Sequence, residues 1–269
     1  RAGRRRAVRT RCRMSSLKGK IVFVTGASSG IGRSCARVFA REGASVLIAA
    51  RRADRLKDLA VSLAADFGVR SHAFALDVRN QPAVERALAA LPAEWKGIDV
   101  LVNNAGLSRG LDKFHEGRIS DWDEMIDTNV KGLAYVSRAV LPGMIARGRG
   151  HVINIGSIAG HEIYPGGNMY CASKFAVMAL TRGLRLDLNG TNVRVSTVDP
   201  GMVETEFSEV RFHGDKERAA KVYKGFTPLS PDDVAEAVLF CANRPPHVNI
   251  SEVIIMPTDQ ASTTMVNRK

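Results

Sequence analysis

The sequence predicts a single α/β domain built on a doubly wound, mainly parallel sheet with helices on both faces. Three observations predict this class. Patterns typical of strands alternate with patterns typical of helices, a glycine-rich turn joins the first strand to the first helix, and 269 residues with 45% hydrophobic content suffice for one substantial core. Strands that alternate with helices imply parallel pairing and right-handed crossovers.

The first strand, turn and helix form a phosphate-binding pattern. Residues 21–24 are β-branched or aromatic and predict a buried strand, residues 25–32 contain the glycines, and residues 33–42 predict a helix. Glycine permits a tight turn and lets the backbone approach a pyrophosphate, while the N-terminus of the helix offers unpaired N–H groups. The G-x-x-x-G-x-G spacing in this context therefore predicts a phosphate-binding turn.

The alternation continues through most of the chain. Further strands are predicted at residues 44–50, 71–76, 99–102, 151–156, 192–198 and 252–256. Further helices are predicted at residues 55–67, 81–91, 122–145, 170–188 and 231–242. Ligands bind outside the carboxyl ends of the strands in such sheets, so the polar residues that follow the strands are candidates for a site.

Residues 203–224 interrupt the alternation because they are polar and charged, with Phe207, Phe212 and Tyr223 as scattered anchors. This composition predicts a mobile flap that closes on substrate and excludes water. A helical hairpin with no catalytic part is the alternative. The domain is predicted to span residues 14–269, with the flap at about 203–224.

The net charge of +12 is concentrated at the beginning of the chain. Residues 1–13 contain seven arginines and no acidic residue, and subtracting these seven charges leaves +5. We expect these residues to be a disordered leader, a cloning scar or upstream translated sequence, with an organelle transit segment as the alternative. Without an aromatic platform or a recognition motif, the charge does not indicate nucleic-acid binding.

The cysteines and apolar stretches indicate the compartment. Cys12, Cys35, Cys171 and Cys241 show neither paired spacing nor C-x-x-C, so the sequence predicts neither a disulfide framework nor a zinc site. No metal is predicted elsewhere, since no His/Asp/Glu cluster has ligand spacing. No apolar run approaches the ~20 residues that span a bilayer. We therefore expect a cytoplasmic protein that does not bind membranes.

Tyr170 and Lys174 are four residues apart on a predicted helix, so their side chains lie on the same face. A free tyrosine titrates near pH ~10, and a neighbouring cation lowers this pKa by favouring the phenolate. The spacing indicates proton transfer at oxygen. Alone it is also compatible with a surface tyrosine beside a solvated lysine.

Together with other motifs, this pair makes nearly the whole chain from Met14 resemble the short-chain dehydrogenase/reductase family, which has a Rossmann fold. The motifs are residues 25–32, residues 103–106, Asn129, Ser157, Tyr170-x-x-x-Lys174 and Pro200-Gly201. The resemblance implies that Tyr170 is the acid/base, that Ser157 and Tyr170 bind the substrate oxygen, and that Lys174 lowers the tyrosine pKa and holds the nicotinamide ribose. It also implies that Asn129 supports a water in a proton relay, although Asn129 could simply brace a helix.

The same resemblance implies the residues that bind the cofactor. They are Gly26, Ser28, Ser29, Gly30, Ile31, Gly32, Ala50, Arg51, Arg52, Asp77, Val78, Asn103, Asn104, Ala105, Gly106, Tyr170, Lys174, Pro200, Gly201, Val203 and Thr205. Asp77 and Val78 are expected to flank the adenine, and Thr205 to contact the carboxamide of the nicotinamide. A homotetramer is also implied.

The charges after the second strand predict the choice of cofactor. Enzymes that prefer NAD place a carboxylate at the end of this strand to hold the ribose hydroxyls. Here the position is Ala50, followed by Arg51 and Arg52, so nothing repels a 2′-phosphate and a guanidinium can pair with it. The sequence predicts NADP, unless both arginines are ordinary solvated charges.

Five further stretches resemble the NADP-dependent 3-hydroxy acid dehydrogenases that oxidise serine and allo-threonine. They are residues 91–95, 127–133, 138–144, 206–212 and 246–250. Such a substrate carries a carboxylate, for which Arg211 is the predicted partner and Arg109 a weaker one, unless Arg211 lies on the outer surface of the flap. The alternatives are a reductase of carbonyl compounds or 3-oxoacyl chains, and a protein that binds NADP without turnover.

Overall fold

The computed structural model describes residues 16–269. Within this range seven strands form one parallel sheet in the order β3-β2-β1-β4-β5-β6-β7, which confirms the predicted doubly wound class. The strands are β1 (Ile21–Thr25), β2 (Ser45–Ala50), β3 (Ser71–Ala75), β4 (Val100–Asn103), β5 (Gly150–Ile155), β6 (Val193–Pro200) and β7 (Glu252–Ile255). The leader predicted at residues 1–13 lies outside the described residues.

Nine α-helices in the described range connect or flank the strands. They are α1 (Gly30–Arg41), α2 (Ala53–Phe67), α3 (Gln81–Ala89), α4 (Ile119–Ile126), α5 (Leu133–Ala146), α6 (Asn168–Asp187), α7 (Phe207–Arg211), α8 (Lys216–Val222) and α9 (Pro231–Ala242). Among the helices of residues 16–269, none has the length and apolar character needed to cross a membrane.

The central strands bury both of their faces. Val22 and Val24 pack in one hydrophobic cluster with residues of α1 and α9, whereas Phe23, between them in sequence, packs in a second cluster with residues of α5. This division follows from the alternation of side chains along a strand. The continuous apolar runs of the central strands are therefore explained by two cores, one on each face of the sheet.

The order of the strands places a crevice beside β1. This strand pairs with β2 on one side and with β4 on the other, so the chain winds away from β1 in both directions. A crevice opens between the carboxyl ends of two such strands, because the connections that follow them lie on opposite faces of the sheet. The glycine turn after β1 and the Asn103–Gly106 segment after β4 meet at this point.

The helix predicted at residues 122–145 differs from the structure. It starts earlier, at Ile119, and a π-helical segment (Asp127–Gly132) divides it into α4 and α5. A π-helical turn contains an extra residue and often marks a functional site. A Cβ on Gly132 would lie 2.6 Å from Cγ2 of Val78, so this segment packs directly against the chain that follows β3.

The predicted flap contains the short helices α7 and α8. A tight reversal joins them, in which His213 and Gly214 have positive φ values of 53° and 93°. The backbone N–H of Gly110 donates to the carbonyl of Arg211 at 2.9 Å, and the hydroxyl of Tyr223 donates to the carbonyl of Val203 at 2.8 Å. The first bond joins the flap to the loop that follows β4, and the second joins the two ends of the flap. Its mobility stays a prediction.

Candidate active site

A cleft with a volume of about 320 Å³ lies at the carboxyl ends of the strands, beside β1. It contains most of the residues that the sequence predicts for the site. These are Gly26, Ser28, Ser29, Gly30, Ile31, Ala50, Arg51, Arg52, Asp77, Val78, Asn104, Ala105, Gly106, Ser157, Tyr170, Lys174, Pro200, Gly201, Val203 and Thr205. The fold thus brings one continuous lining together from the ends of six strands.

The glycine turn depends on the lack of side chains at two of its positions. Gly26 has a φ of 66°, and a Cβ there would lie 2.8 Å from Cα of Ala105. A Cβ on Gly32 would lie 2.4 Å from the carbonyl oxygen of Gly26. Gly32 does not line the cleft, and its role is to let α1 pack closely on the turn.

Helix α1 begins beside the cleft without a cap. No side chain in the described part of the protein caps it at Ser29, and its first turn contains no acidic residue. Its first N–H groups and the positive end of its dipole therefore remain for an anion.

Two asparagines follow β4 and differ in role. The Asn104 amide donates to the carbonyls of Thr25 and Gly26 at 3.0 and 3.2 Å, which fixes the glycine turn to the floor of the cleft. The Asn103 amide donates to Ser137 and Asn154, both at 2.9 Å. Asn103 is 4% exposed and does not line the cleft, so it joins adjacent elements behind the floor.

The two arginines after β2 differ in position. Arg52 donates to the hydroxyl of Ser28 at 3.0 Å and to that of Ser29 at 2.7 Å, so its guanidinium lies directly over the glycine turn. Arg51 is half exposed and lies 3.6 Å from Glu124. Of the two, Arg52 is better placed to bind a phosphate next to the turn.

Ser157, Tyr170 and Lys174 lie together at the other end of the cleft. Ser157 follows β5, and its hydroxyl accepts from the N–H of Ala159 at 3.1 Å. Tyr170 and Lys174 lie one turn apart on α6 and are both buried. The Lys174 ammonium is 5.8 Å from the centre of the Tyr170 ring and donates to the carbonyl of Ile155 at 2.9 Å.

Burial dominates the pKa values of this pair. It raises the pKa of the Tyr170 phenol well above its ordinary value; the nearby phenol of Tyr164 adds to the rise, while Arg211 and the Ser157 hydroxyl oppose it. Burial lowers the pKa of the Lys174 ammonium to about 8, against the opposing effect of Asp199. Arg211 and Ser157 are thus the neighbours that favour the phenolate here, and the lowering expected from Lys174 stays a prediction.

Asn129 lies on the π-helical segment, behind the cleft. Its side chain accepts from the N–H of Leu107 at 2.8 Å, and donates to the carbonyl of Leu107 at 2.8 Å and to the hydroxyl of Ser173 at 3.0 Å. These bonds brace the segment after β4 against α6. Such a bracing role is the alternative to a part in a proton relay. The relay remains a proposal.

Arg211 approaches Tyr170 from the flap. Its guanidinium carbon lies 5.4 Å from the centre of the Tyr170 ring and 5.2 Å from that of Phe207, and its Nη2 donates to the Tyr164 hydroxyl at 3.3 Å. Its Nε is buried without a hydrogen-bond partner in residues 16–269. The other candidate, Arg109, is paired with Glu124 at 2.7 Å and also donates to the carbonyl of Val210, so its guanidinium already has partners.

Several residues of the lining were not predicted from the sequence. They are Leu76, Arg79, Leu107, Thr128, Ile155, Gly156, Glu206, Phe207 and Val210. Thr128 is notable because its hydroxyl is buried without a hydrogen-bond partner among the described residues. Its place on the π-helical segment next to Asn129 could have suggested it.

A polar cluster not evident from the sequence lies behind Ser157. The Nε2 of His161 is 3.2 Å from Asp199, and its Nδ1 is 3.7 Å from Glu252. Each nitrogen therefore faces a different carboxylate, whereas a metal ion takes one nitrogen of an imidazole. This geometry favours a chain of polar contacts between the three side chains over the metal site that the composition of the cluster would allow.

The sequence matches known proteins over most of its length. Residues 20–216 match the family model described as short chain dehydrogenase. The chain is 51% identical over 242 residues to the NADP-dependent 3-hydroxy acid dehydrogenase YdfG of Salmonella typhi, covering 90% of this chain and 96% of that protein. It is 43% identical over 257 residues to the NADP-dependent 3-hydroxy acid dehydrogenase of Schizosaccharomyces pombe, covering 95% and 99%.

Two solved structures are similar throughout. The closed form of a serine dehydrogenase complexed with NADP+ has a TM-score of 0.88 at 48% identity, with 93% of this chain and 100% of that chain covered. The serine dehydrogenase of Escherichia coli has a TM-score of 0.78 at 44% identity, with 90% and 99% covered. In sequence, in fold and in the arrangement of Ser157, Tyr170 and Lys174, this chain belongs to the short-chain dehydrogenase/reductase family.

Proposed function

We propose that the protein is an NADP-dependent oxidoreductase that interconverts a 3-hydroxy acid, such as serine or allo-threonine, and its 3-oxo form. The observation that carries the proposal is the order of groups along one cleft. A phosphate-binding turn and Arg52 lie toward β1 and β2, and Ser157, Tyr170 and Lys174 lie toward β5. Arg211, which is not part of the cleft lining, approaches the Tyr170 ring from the flap. The names of the relatives support the same activity.

The residues present fit this cofactor. The uncapped start of α1 and the glycine turn suit a pyrophosphate, and the unpaired hydroxyl of Thr128 offers a buried hydrogen-bonding group on the cleft wall. Arg52 suits a 2′-phosphate. When bound, NADP supplies the acceptor and donor of the hydride.

The protein's own contribution is to hold the reacting carbon and to move a proton. Oxidation removes the hydroxyl proton as the hydride leaves the same carbon, and reduction reverses both steps. Tyr170 transfers this proton, and Ser157 donates a second hydrogen bond to the oxygen, which stabilises the developing alkoxide. Lys174 and Asn129 support this transfer from behind. The flap, through Phe207, keeps water away from Tyr170.

Arg211 binds the carboxylate of the substrate in this proposal, because its buried Nε lacks a partner and a guanidinium can bind a carboxylate with two hydrogen bonds. We expect Arg211→Met to raise KM for a 3-hydroxy acid by about tenfold or more and to leave KM for an alcohol without a carboxylate nearly unchanged. Steady-state kinetics with both substrates test this. Arg218→Met is the matched control, since Arg218 also belongs to the flap but stacks on Phe212. An unchanged KM for the acid would place the carboxylate elsewhere.

The choice of NADP can be changed at the end of β2. We expect Ala50→Asp combined with Arg51→Ser to shift the preference toward NAD by about tenfold or more. The new carboxylate would bind ribose hydroxyls and repel a 2′-phosphate, and the second change removes one cation. The ratio of kcat/KM for the two cofactors measures the shift. A ratio equal to that of the wild type would contradict the assignment.

The activity itself is tested by a substrate screen. Purified protein with NADP is assayed against serine, allo-threonine, 3-hydroxyisobutyrate and 3-hydroxypropionate, and with NADPH against apolar ketones, by absorbance of the reduced nicotinamide. We expect the 3-hydroxy acids to be turned over with the higher kcat/KM. Preference for apolar ketones would favour a carbonyl reductase, and no turnover with any substrate would favour a protein that only binds NADP.

The homotetramer and the cytoplasmic location also remain proposals. The three cysteines in the described part of the chain are all buried and free, in agreement with a reducing compartment. Light scattering of the purified protein tests the tetramer.

A further inference from the structure

Glu206 joins the flap to the arginines at the start of α2. Its carboxylate accepts from Arg52 Nη1 at 2.9 Å, and from Arg55 Nη1 at 2.6 and 2.9 Å. Glu206 immediately precedes α7 and lines the cleft. One carboxylate of the flap therefore holds two arginine side chains at the start of α2.

The two edges of the Arg52 guanidinium have separate partners. Nη1 points to Glu206, whereas Nε and Nη2 point to the hydroxyls of Ser28 and Ser29 on the glycine turn. The Nε–Nη2 edge is one that binds two phosphate oxygens in parallel. Glu206 therefore leaves the Nε–Nη2 edge of Arg52 facing the glycine turn.

We propose that Glu206 is a positioning residue that selects NADP over NAD by holding the Nε–Nη2 edge of Arg52 toward the 2′-phosphate of the cofactor. This role rests on the NADP requirement proposed above. An arginine side chain is long and mobile in solution, so fixing it beforehand reduces the entropy lost when a phosphate binds.

The local charge agrees with a Glu206 that orients Arg52 and not with one that competes with the phosphate for it. Arg52, Arg55 and Glu206 together carry one net positive charge, so the cluster still attracts a phosphate. The ion pairs are 41–47% exposed, so they contribute through orientation more than through their own strength. If Glu206 competed for Arg52, it would instead bond to the edge that faces Ser28 and Ser29.

The test compares ligands that differ in one phosphate. We expect Glu206→Gln to weaken the binding of 2′,5′-ADP and of NADP by about fivefold, and to change the binding of 5′-ADP and of NAD by less than twofold. Isothermal titration calorimetry measures all four affinities without turnover. Glu217→Gln is the matched control, because it removes the same charge from α8 of the flap, where Glu217 pairs only with Lys221 in the described residues.

A double-mutant cycle separates positioning from a general loss of structure. With Arg52→Gln already present, we expect Glu206→Gln to have no further effect on the affinity for 2′,5′-ADP. The proposal would be overturned if Glu206→Gln weakened the binding of 2′,5′-ADP and of 5′-ADP equally. An unchanged or a higher affinity of this variant for 2′,5′-ADP would also overturn it. If the wild-type protein itself does not distinguish 2′,5′-ADP from 5′-ADP, the NADP requirement fails first, and the role of Glu206 fails with it.

Discussion

The Tyr170→Phe variant is expected to lose turnover by a factor of about a thousand or more while it still binds NADP. A positioned general acid or base contributes about 10²–10⁴ in rate, and in the proposed mechanism the phenol shares the substrate oxygen with Ser157. Phenylalanine keeps the ring, whose centre is 5.7 Å from that of Phe207, so the packing between α6 and the flap is retained. Turnover is measured with a 3-hydroxy acid, and the affinity for NADP by calorimetry.

Tyr135→Phe is the matched control for this variant. Tyr135 lies on α5 and packs against a hydrophobic cluster that does not include Tyr170, so loss of its hydroxyl should leave kcat nearly unchanged. Turnover of Tyr170→Phe within tenfold of the wild type would show that another group transfers the proton.

The features that the sequence predicts well are local ones. The glycine turn needs only a strand before it, a helix after it, and the spacing of Gly26, Gly30 and Gly32. Tyr170 and Lys174 need only the periodicity of α6. Where these features lie relative to one another follows from the parallel sheet, because the carboxyl ends of its strands share one edge.

The features that the sequence does not reveal depend on distant contacts or on small departures from regular structure. Glu206 reaches Arg52 across 154 residues of chain, and nothing near Glu206 in sequence indicates this partner. The π-helical segment adds a residue within a pattern that otherwise predicts one continuous helix, and so Thr128 on the cleft wall was missed. The pairing of His161 with Asp199 likewise needs the folded sheet.

Replacing the buried Lys174 is expected to affect both turnover and the free energy of unfolding. We expect Lys174→Met to lower turnover by a factor of about a hundred or more, because it removes the ammonium that we propose supports proton transfer. Lys57→Met, at an exposed position on α2, should leave turnover nearly unchanged. Turnover of Lys174→Met close to that of the wild type would remove the lysine from the mechanism.

The same variant should also change how stability depends on pH. Burial lowers the pKa of Lys174 from 10.5 to about 8 in the folded protein. Between these values the unfolded chain binds more protons than the folded one, so the unfolding free energy of the wild type rises with pH in this window. Below pH ~8 the lysine is charged in both states, and the penalty for burying it is fully present.

Methionine does not titrate, so the variant does not have the cost of burying a charged lysine below pH ~8. It also lacks the gain in unfolding free energy that the wild type shows as this lysine loses its proton at higher pH. We therefore expect the stability of Lys174→Met relative to the wild type to fall by about 2 kcal/mol between pH ~7 and ~9.5. Urea unfolding at the two pH values measures this difference. Because methionine also lacks the hydrogen bond to Ile155, the change with pH is more informative than the stability at either pH alone. Parallel stability curves for the two proteins would mean that Lys174 keeps its ordinary pKa in the folded state.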